Sequence, residues 1–74
     1  MADYAKILAA NVKAARERLD LSQEEFAYRT GIDRTYVSGI ERAVRNPSLK
    51  LIVKLANGLE MSPGELLTPP KGRS

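Results

Sequence analysis

The apolar residues of the first part of the chain recur at the spacing of an α-helix. A stripe with steps of three or four residues predicts a first helix from about Tyr4 to Leu19. The stripe consists of Leu8, Val12, Ala15 and Leu19. No segment alternates apolar and polar residues with the period of two that a half-buried strand requires. The pattern therefore predicts an all-α protein.

Residues that begin and end helices predict a second and a third helix. Ser22 and Glu25 form a capping box, in which each side chain accepts a hydrogen bond from the other residue's backbone amide. Gly31 ends this helix because glycine adopts positive φ without steric cost. Asp33 is the predicted N-cap of the third helix. The predicted inward positions of these two helices are Phe26, Ala27, Val37 and Ile40.

A fourth and a fifth helix follow a proline break. The residue before Pro47 disfavours the helical region, so the third segment ends there, and Ser48 caps the fourth helix. Ser62 and Glu65 form a second capping box, with Pro63 at the first position of the fifth helix. The fourth helix is predicted to point Leu49, Ile52, Leu55, Ala56 and Leu59 inward. The fold prediction is a compact five-helix domain over residues 1–68, with a proline- and charge-rich tail, residues 69–74, predicted to be disordered.

Composition excludes several classes of function. The chain has 74 residues with no cysteine and no histidine, so disulfides, thiolate metal sites and the commonest general base are unavailable. We therefore expect no metal, no cofactor and no enzymatic activity. No apolar run approaches the roughly 20 residues that span a bilayer. The first residues, MADYAKIL, lack the order of a secretory signal, so no membrane association and a cytoplasmic location are expected.

The positive charge of the chain is concentrated in its middle third. Residues 28–54 carry six Lys or Arg against two Asp or Glu, whereas the net charge of the whole chain is only +3. A basic segment of this kind is either an ordinary solvated face or a surface for nucleic acid. Charge alone favours the second interpretation only slightly.

The second and third helices are joined by a very short connection, Gly31 and Ile32. Helices so closely connected cross steeply, as in a helix-turn-helix. Ala27 leaves room for close packing, and Ile32 fills the corner between the two helices. The combination favours a DNA-binding motif over a purely structural corner.

Residues from about Val12 to Leu67 resemble the Cro/cI-type helix-turn-helix family, also called the xenobiotic-response-element family of bacterial regulators. Within that family, DRTYVSGIER (33–42) and GLEMS (58–62) are similar to the controller proteins of restriction–modification systems. Those controllers are small, ligand-free dimers that regulate their own gene and the endonuclease gene. The resemblance is carried by Arg16, LSQEEFA (21–27), Gly31, Val37, Ile40-Glu41, RNPSL (45–49) and LANGLEMSPGELL (55–67).

The resemblance implies double-stranded DNA as the partner, with the start of the third helix in the major groove. Arg34 is the strongest candidate for base contact, because a guanidinium can bond guanine O6 and N7 together. The alternatives for each candidate are a phosphate contact, a place covering the core, or simple solvation. The base-contact candidates are Arg34, Thr35, Tyr36, Ser38 and Gly39. The DNA-backbone candidates are Gln23, which resembles the family's phosphate-contacting glutamine, and Arg42, Arg45, Asn46 and Lys50.

Two residues have an architectural role by resemblance. Arg16 and Glu41 are expected to form a partly buried salt bridge that fixes the third helix against the first. The family commonly has glycine at two positions where this chain has Ala43 and Glu60. Ala43 leaves the geometry of the following loop open, whereas Glu60 matches the controller pattern.

The resemblance also implies a homodimer on a palindromic operator, without a small-molecule ligand. An exposed apolar patch on so small a domain would suit such an interface. The candidate interface residues are Leu51, Val53, Leu66 and Leu67. The alternative function is an antitoxin or another protein-interaction module on the same fold.

Overall fold

The structure, a computed structural model, describes residues 3–70. This part of the chain contains five α-helices and no strand, which confirms the all-α, five-helix prediction. Residues 71–74 of the predicted tail lie outside the described residues, and the boundary at residue 68 stays a prediction. The helices are α1 (Tyr4–Arg18), α2 (Gln23–Thr30), α3 (Arg34–Glu41), α4 (Leu49–Gly58) and α5 (Pro63–Leu66).

Both predicted capping boxes are present. The Ser22 hydroxyl accepts a hydrogen bond from the Glu25 amide at 2.9 Å, and the Glu25 carboxylate accepts one from the Ser22 amide at 2.8 Å. Ser62 and Glu65 make the same two bonds at 3.2 and 2.8 Å. The backbone amide and then the hydroxyl of Ser22 lower the pKa of Glu25, because both stabilise its charged form. Local sequence therefore determines where α2 and α5 begin.

One hydrophobic core joins all five helices, with α3 packed on α1 and α2 and with α5 packed on α4 and α1. Val37 and Ile40 lie in this core as predicted. Leu49, predicted to point inward, is 71% exposed because the first turn of α4 extends past the buried cluster. The largest fully buried side chains are Phe26, Ile40, Leu55, Leu66, Val12 and Val37.

A polar side chain of α1 holds the short helix α5 in place. The Asn11 amide nitrogen donates hydrogen bonds at 2.8 Å to the carbonyl oxygens of both Leu66 and Thr68. The last carbonyls of a helix have no partner inside it, so a side-chain donor satisfies them. Local sequence patterns do not predict this contact, because it joins residues more than fifty positions apart.

Three non-glycine residues end helices in the left-handed conformation: Asp20, Ala43 and Glu60, with φ of 62°, 61° and 60°. At Ala43 the amide donates to the Ile40 carbonyl at 3.0 Å, and the next amide, of Val44, donates to the Gly39 carbonyl at 2.9 Å. This is the Schellman pattern that glycine usually completes. The loop after α3 therefore has the geometry that glycine would give, although the sequence has alanine.

Replacing Ala43 by glycine is expected to raise the free energy of unfolding by about 0.5–1 kcal/mol. An L-residue in the left-handed region costs about 1–2 kcal/mol, and the greater unfolded-state entropy of glycine offsets part of that gain. Chemical denaturation measures the change. Ala14→Gly, on the exposed side of α1, is the matched control and should lower stability by about 1 kcal/mol. A loss of similar size in both variants would contradict the prediction.

Candidate nucleic-acid interface

The corner between α2 and α3 is tight and internally bonded. Gly31 has φ of 75°, and its amide donates to the Ala27 carbonyl at 2.8 Å. Thr30 is buried, and its hydroxyl donates to the Phe26 carbonyl at 2.9 Å. Ile32 lies in the core directly after the turn. The connection predicted to form a helix-turn-helix corner therefore fixes α3 firmly against α2.

The outward side of α3 follows from its helical period of about 100° per residue. Since Val37 and Ile40 point into the core, the opposite side carries Thr35, Ser38 and Arg42, whereas Arg34 lies on the flank of the helix, about 60° from Val37. Arg34, Thr35 and Arg42 are exposed, and Ser38 is half-buried. Tyr36 is also half-buried and packs against the core from the flank of α3.

Positive charge dominates this surface. Arg45 and Lys50, together with Asn46, are exposed in the segment that follows α3. The Asp33 carboxylate, at the start of α3, accepts a hydrogen bond from the Thr35 amide at 3.2 Å. The Glu41 carboxylate turns inward and is only 4% exposed. The outward face of α3 and the loop after it therefore present guanidinium and ammonium groups to solvent.

Arg16 and Glu41 meet in a two-point ion pair between α1 and α3. The Arg16 Nε lies 2.7 Å from one Glu41 carboxylate oxygen, and its second terminal nitrogen lies 3.0 Å from the other. The remaining terminal nitrogen of Arg16 donates to the Leu21 carbonyl at 2.6 Å. Hydrogen bonding to Glu41 raises the pKa of Arg16, so its guanidinium remains charged.

Gln23 belongs to the same cluster. Its amide nitrogen donates to the Glu41 carboxylate at 3.0 Å, which links the first residue of α2 to the end of α3. An amide nitrogen carries two hydrogens, so one donor remains for a phosphate at the start of α2. The family resemblance implies a DNA-backbone contact for Gln23, whereas nothing in the sequence indicates its contact with Glu41.

Gly39 does not offer an open surface for base contact, which corrects its place among the base-contact candidates. By helical spacing it lies on the outward side of α3, yet it is buried. The side chain of Arg45 covers it: a Cβ built at Gly39 would lie 2.5 Å from Arg45 Cγ. The Arg45 guanidinium carbon lies 5.4 Å from the centre of the Tyr36 ring.

The candidate dimer residues have different surroundings. Leu66 is fully buried, so its assignment to an exposed interface was wrong: α5 turns it into the core. Val53 is 39% exposed, and Leu51, half-buried against the core, lines the same open groove of about 510 Å³ beside Tyr36. Leu67 is half-buried and borders a different groove, near the start of α1.

Residues 3–70 have neither a cluster of metal ligands nor a membrane-spanning helix. Residues 3–70 contain no group of three or more acidic, histidine or cysteine side chains arranged to hold a metal ion. Within that range, none of the helices has the length and apolar character needed to span a bilayer. The exposed basic face of α3 and its following loop is the functional candidate on this surface.

A tight corner followed by a helix with an exposed basic face defines a helix-turn-helix domain. The family model described as helix-turn-helix matches residues 12–66. The chain belongs to this family of Cro/cI-type helix-turn-helix proteins, which confirms the resemblance found in the sequence.

The chain is similar to several proteins named as regulators. It is 42% identical over 71 residues to a hypothetical transcription factor of Neisseria meningitidis, covering 96% of this chain and 67% of that protein. The crystal structure of the Neisseria factor superposes with a TM-score of 0.90, covering 93% of this chain and 79% of that one. The control protein C.SmaI of Serratia marcescens is 42% identical over 66 residues, which are 89% of this chain and 79% of that protein.

A third relative has been solved with DNA. The restriction–modification controller protein C.Esp1396I forms a tetramer in complex with its natural 35 base-pair operator. Its structure superposes with a TM-score of 0.77 at 32% identity, covering 92% of this chain and 100% of that one.

Proposed function

We propose that this protein is a sequence-specific DNA-binding transcriptional regulator that acts as a ligand-independent homodimer on a palindromic operator. The observation that carries the proposal is the exposed basic surface of α3, where Thr35 and Arg42 lie opposite the buried anchors of the helix and Arg34 is exposed at its first position. Regulation of this kind needs no cofactor and no catalysis, and it takes place in the cytoplasm.

In the proposed complex, different residues contact the bases and the DNA backbone. Arg34, at the first position of α3, bonds guanine O6 and N7, and Thr35 meets a thymine methyl or a base-edge acceptor. Ser38 and Tyr36 lie beside these residues and face the same major groove of the DNA. Gln23, Arg42, Arg45, Asn46 and Lys50 contact phosphates, which supply most of the affinity and orient α3.

The Arg16–Glu41 pair sets the angle of the recognition helix without touching DNA. It ties the end of α3 to α1, and Gln23 ties the same carboxylate to the start of α2. A carboxylate in this place would repel phosphate if it faced outward, and its burial avoids that repulsion.

The proposed dimer uses apolar side chains that the core leaves uncovered. Val53, 39% exposed, Leu51 and Leu67 are the remaining candidates from the sequence. Leu49, 71% exposed and one turn before Val53 on α4, adds to this apolar surface. Two recognition helices related by a twofold axis would contact half-sites about 34 Å apart, or a multiple of that spacing. The relative C.Esp1396I assembles on its operator as a tetramer, which supports self-association.

Val53→Asp is expected to shift the protein toward monomer, since a charge in an apolar interface loses its hydration. Sedimentation velocity at micromolar concentration measures the change. Val44→Asp, at an exposed valine in the loop after α3, is the control and should leave the association unchanged. A wild-type protein that stays monomeric even with DNA would contradict the homodimer.

Membership of a restriction–modification operon is the finer part of the proposal. It is supported by the similarity to the control protein C.SmaI and to the controller C.Esp1396I, and by the DRTYVSGIER segment of α3. Adjacent endonuclease and methyltransferase genes would support a controller. Their absence would leave a helix-turn-helix regulator of another operon.

Selection of binding sites from random DNA, followed by fluorescence anisotropy, tests the function. A palindromic site with nanomolar affinity is the expected result. Arg42→Ala should weaken binding to all sequences alike and reduce the slope of log K against log salt by about one for each phosphate that is no longer neutralised. Lys13→Ala, on the exposed side of α1, is the control and should change neither. If no DNA is enriched, the protein-interaction alternative replaces this proposal.

A further inference from the structure

Gly39 is a buried glycine on the otherwise exposed side of α3, and its presence inside a helix needs an explanation. Helical spacing puts it on the outward side of the helix, beside Thr35 and Arg42, which are both exposed. Glycine in a helix interior is less favourable than alanine, because it loses more backbone freedom on folding. A packing or functional requirement must therefore favour the absence of a side chain at this position.

The side chain of Arg45 supplies that requirement. A Cβ at Gly39 would lie 2.5 Å from Arg45 Cγ, 3.3 Å from its Nε and 3.5 Å from its Cδ. The stem of Arg45 thus crosses α3 directly over the Gly39 backbone. The left-handed turn at Ala43 reverses the chain after α3 and so brings Arg45 back over the helix.

The far end of Arg45 rests on a second residue of α3. Its guanidinium carbon lies 5.4 Å from the centre of the Tyr36 ring, within cation–π distance. Tyr36 is itself half-buried against the core, so its ring has little freedom to move and holds the guanidinium in a defined position. Gly39 and Tyr36, one helical turn apart, therefore hold the two ends of one arginine side chain.

We propose that Gly39 is a positioning residue whose missing side chain fixes the Arg45 charge at the edge of the DNA-facing surface before DNA arrives. A free arginine loses rotamer freedom when it contacts a phosphate or base, and a side chain already held in place loses less. This inference rests on the proposed function. It assigns to Gly39 and Tyr36 the preorganisation of one cationic contact.

Binding to the selected operator tests the proposal in a double-mutant cycle of Gly39→Ala and Arg45→Ala. Arg45→Ala should weaken binding about tenfold or more, since it removes a positive charge from the DNA-facing surface. Gly39→Ala should weaken it roughly three- to tenfold, because the charge remains but its position does not. In the Arg45→Ala background, Gly39→Ala should add less than about twofold. The melting temperature of Gly39→Ala should equal or exceed that of the wild type, because alanine favours the helix.

Nuclear magnetic resonance of the free protein supplies a readout independent of DNA. Ring-current shifts of the Arg45 side-chain protons and their cross-relaxation with the Tyr36 ring should be present in the wild type and lost in Gly39→Ala. Ser38→Ala, which adds no bulk to α3, is the matched control and should retain both signals. If Gly39→Ala does not fold, Tyr36→Leu removes the aromatic ring, and its loss of affinity should be smaller in the Arg45→Ala background than in the wild type, because only the direct contact of Tyr36 with DNA then remains to be lost.

Other outcomes would overturn the proposal in distinguishable ways. An equal loss from Gly39→Ala in both backgrounds would mean that the added methyl group obstructs DNA directly. Retention of the Arg45–Tyr36 signals in Gly39→Ala would show that Gly39 does not position Arg45. A wild-type protein with intact Arg45–Tyr36 signals and no DNA binding would refute the proposed function, whereas the packing of Arg45 on Gly39 would stand.

Discussion

Glu41→Gln is expected to lower the free energy of unfolding by about 3–5 kcal/mol, because it leaves a buried guanidinium without its counter-charge. Arg16 is only 8% exposed and meets both carboxylate oxygens of Glu41 at 2.7 and 3.0 Å. The same carboxylate accepts from Gln23. A small domain is stable by about 5–15 kcal/mol in total, so a loss of this size brings the protein close to unfolding at 37 °C.

Chemical denaturation of the variant beside Glu60→Gln tests this expectation. Glu60 lies 4.0 Å from Arg29, and its side chain is 68% exposed, so water screens the pair and its loss should cost less than about 1 kcal/mol. Both substitutions remove one charge and preserve shape, which makes the comparison one of burial. Equal losses in the two variants would show that the Arg16–Glu41 pair has no special structural weight.

The starts of the helices were predictable from sequence because their causes are local. The side chains of Ser22, Asp33 and Ser62 each accept a hydrogen bond from a backbone amide two or three residues further along the chain. Such contacts form in any fold that contains the helix. The inward positions Val37 and Ile40 follow from the same short-range periodicity. Once Val37 and Ile40 are placed in the core, the opposite side of α3 must face solvent, and several residues there are basic or polar.

The exposure of individual leucines was not predictable in the same way. The sequence predicts Leu49 to point inward and Leu66 to lie in an exposed interface, yet Leu49 is 71% exposed and Leu66 is fully buried. The difference depends on how far α4 extends past the core and on the angle of α5, which Asn11 holds from α1. Such tertiary contacts leave no local signal in the sequence.

At Ala43 the residue type does not indicate the backbone conformation. Alanine at a position where glycine is usual gave no indication of the loop geometry, and the structure nevertheless has the left-handed turn there. The covering of Gly39 by Arg45 depends on this turn. An unexpected glycine inside a helix was a visible signal of a close approach, but the approaching group could not be identified before the fold was known.

Arg34→Ala is expected to abolish discrimination at one base of each half-site while leaving the fold intact. Arg34 is exposed at the first position of α3, so its replacement removes no core contact. A bidentate arginine–guanine pair is worth about 1–3 kcal/mol of discrimination. A homodimer on a palindrome loses it twice, about 2–6 kcal/mol, which corresponds to a factor of about 30 to 10⁴ in the Kd for the operator.

Anisotropy titrations against the selected operator and its single-base variants measure this loss. Arg34→Lys is the matched control: it keeps the charge but not the planar two-point donor, so non-specific affinity should persist while discrimination falls. The base that loses its preference in both variants identifies the contact of Arg34. If Arg34→Ala weakened all sequences equally and Arg34→Lys restored binding fully, Arg34 would be a phosphate contact. Specificity would then have to come from Thr35 and Ser38, or from the deformability of the operator.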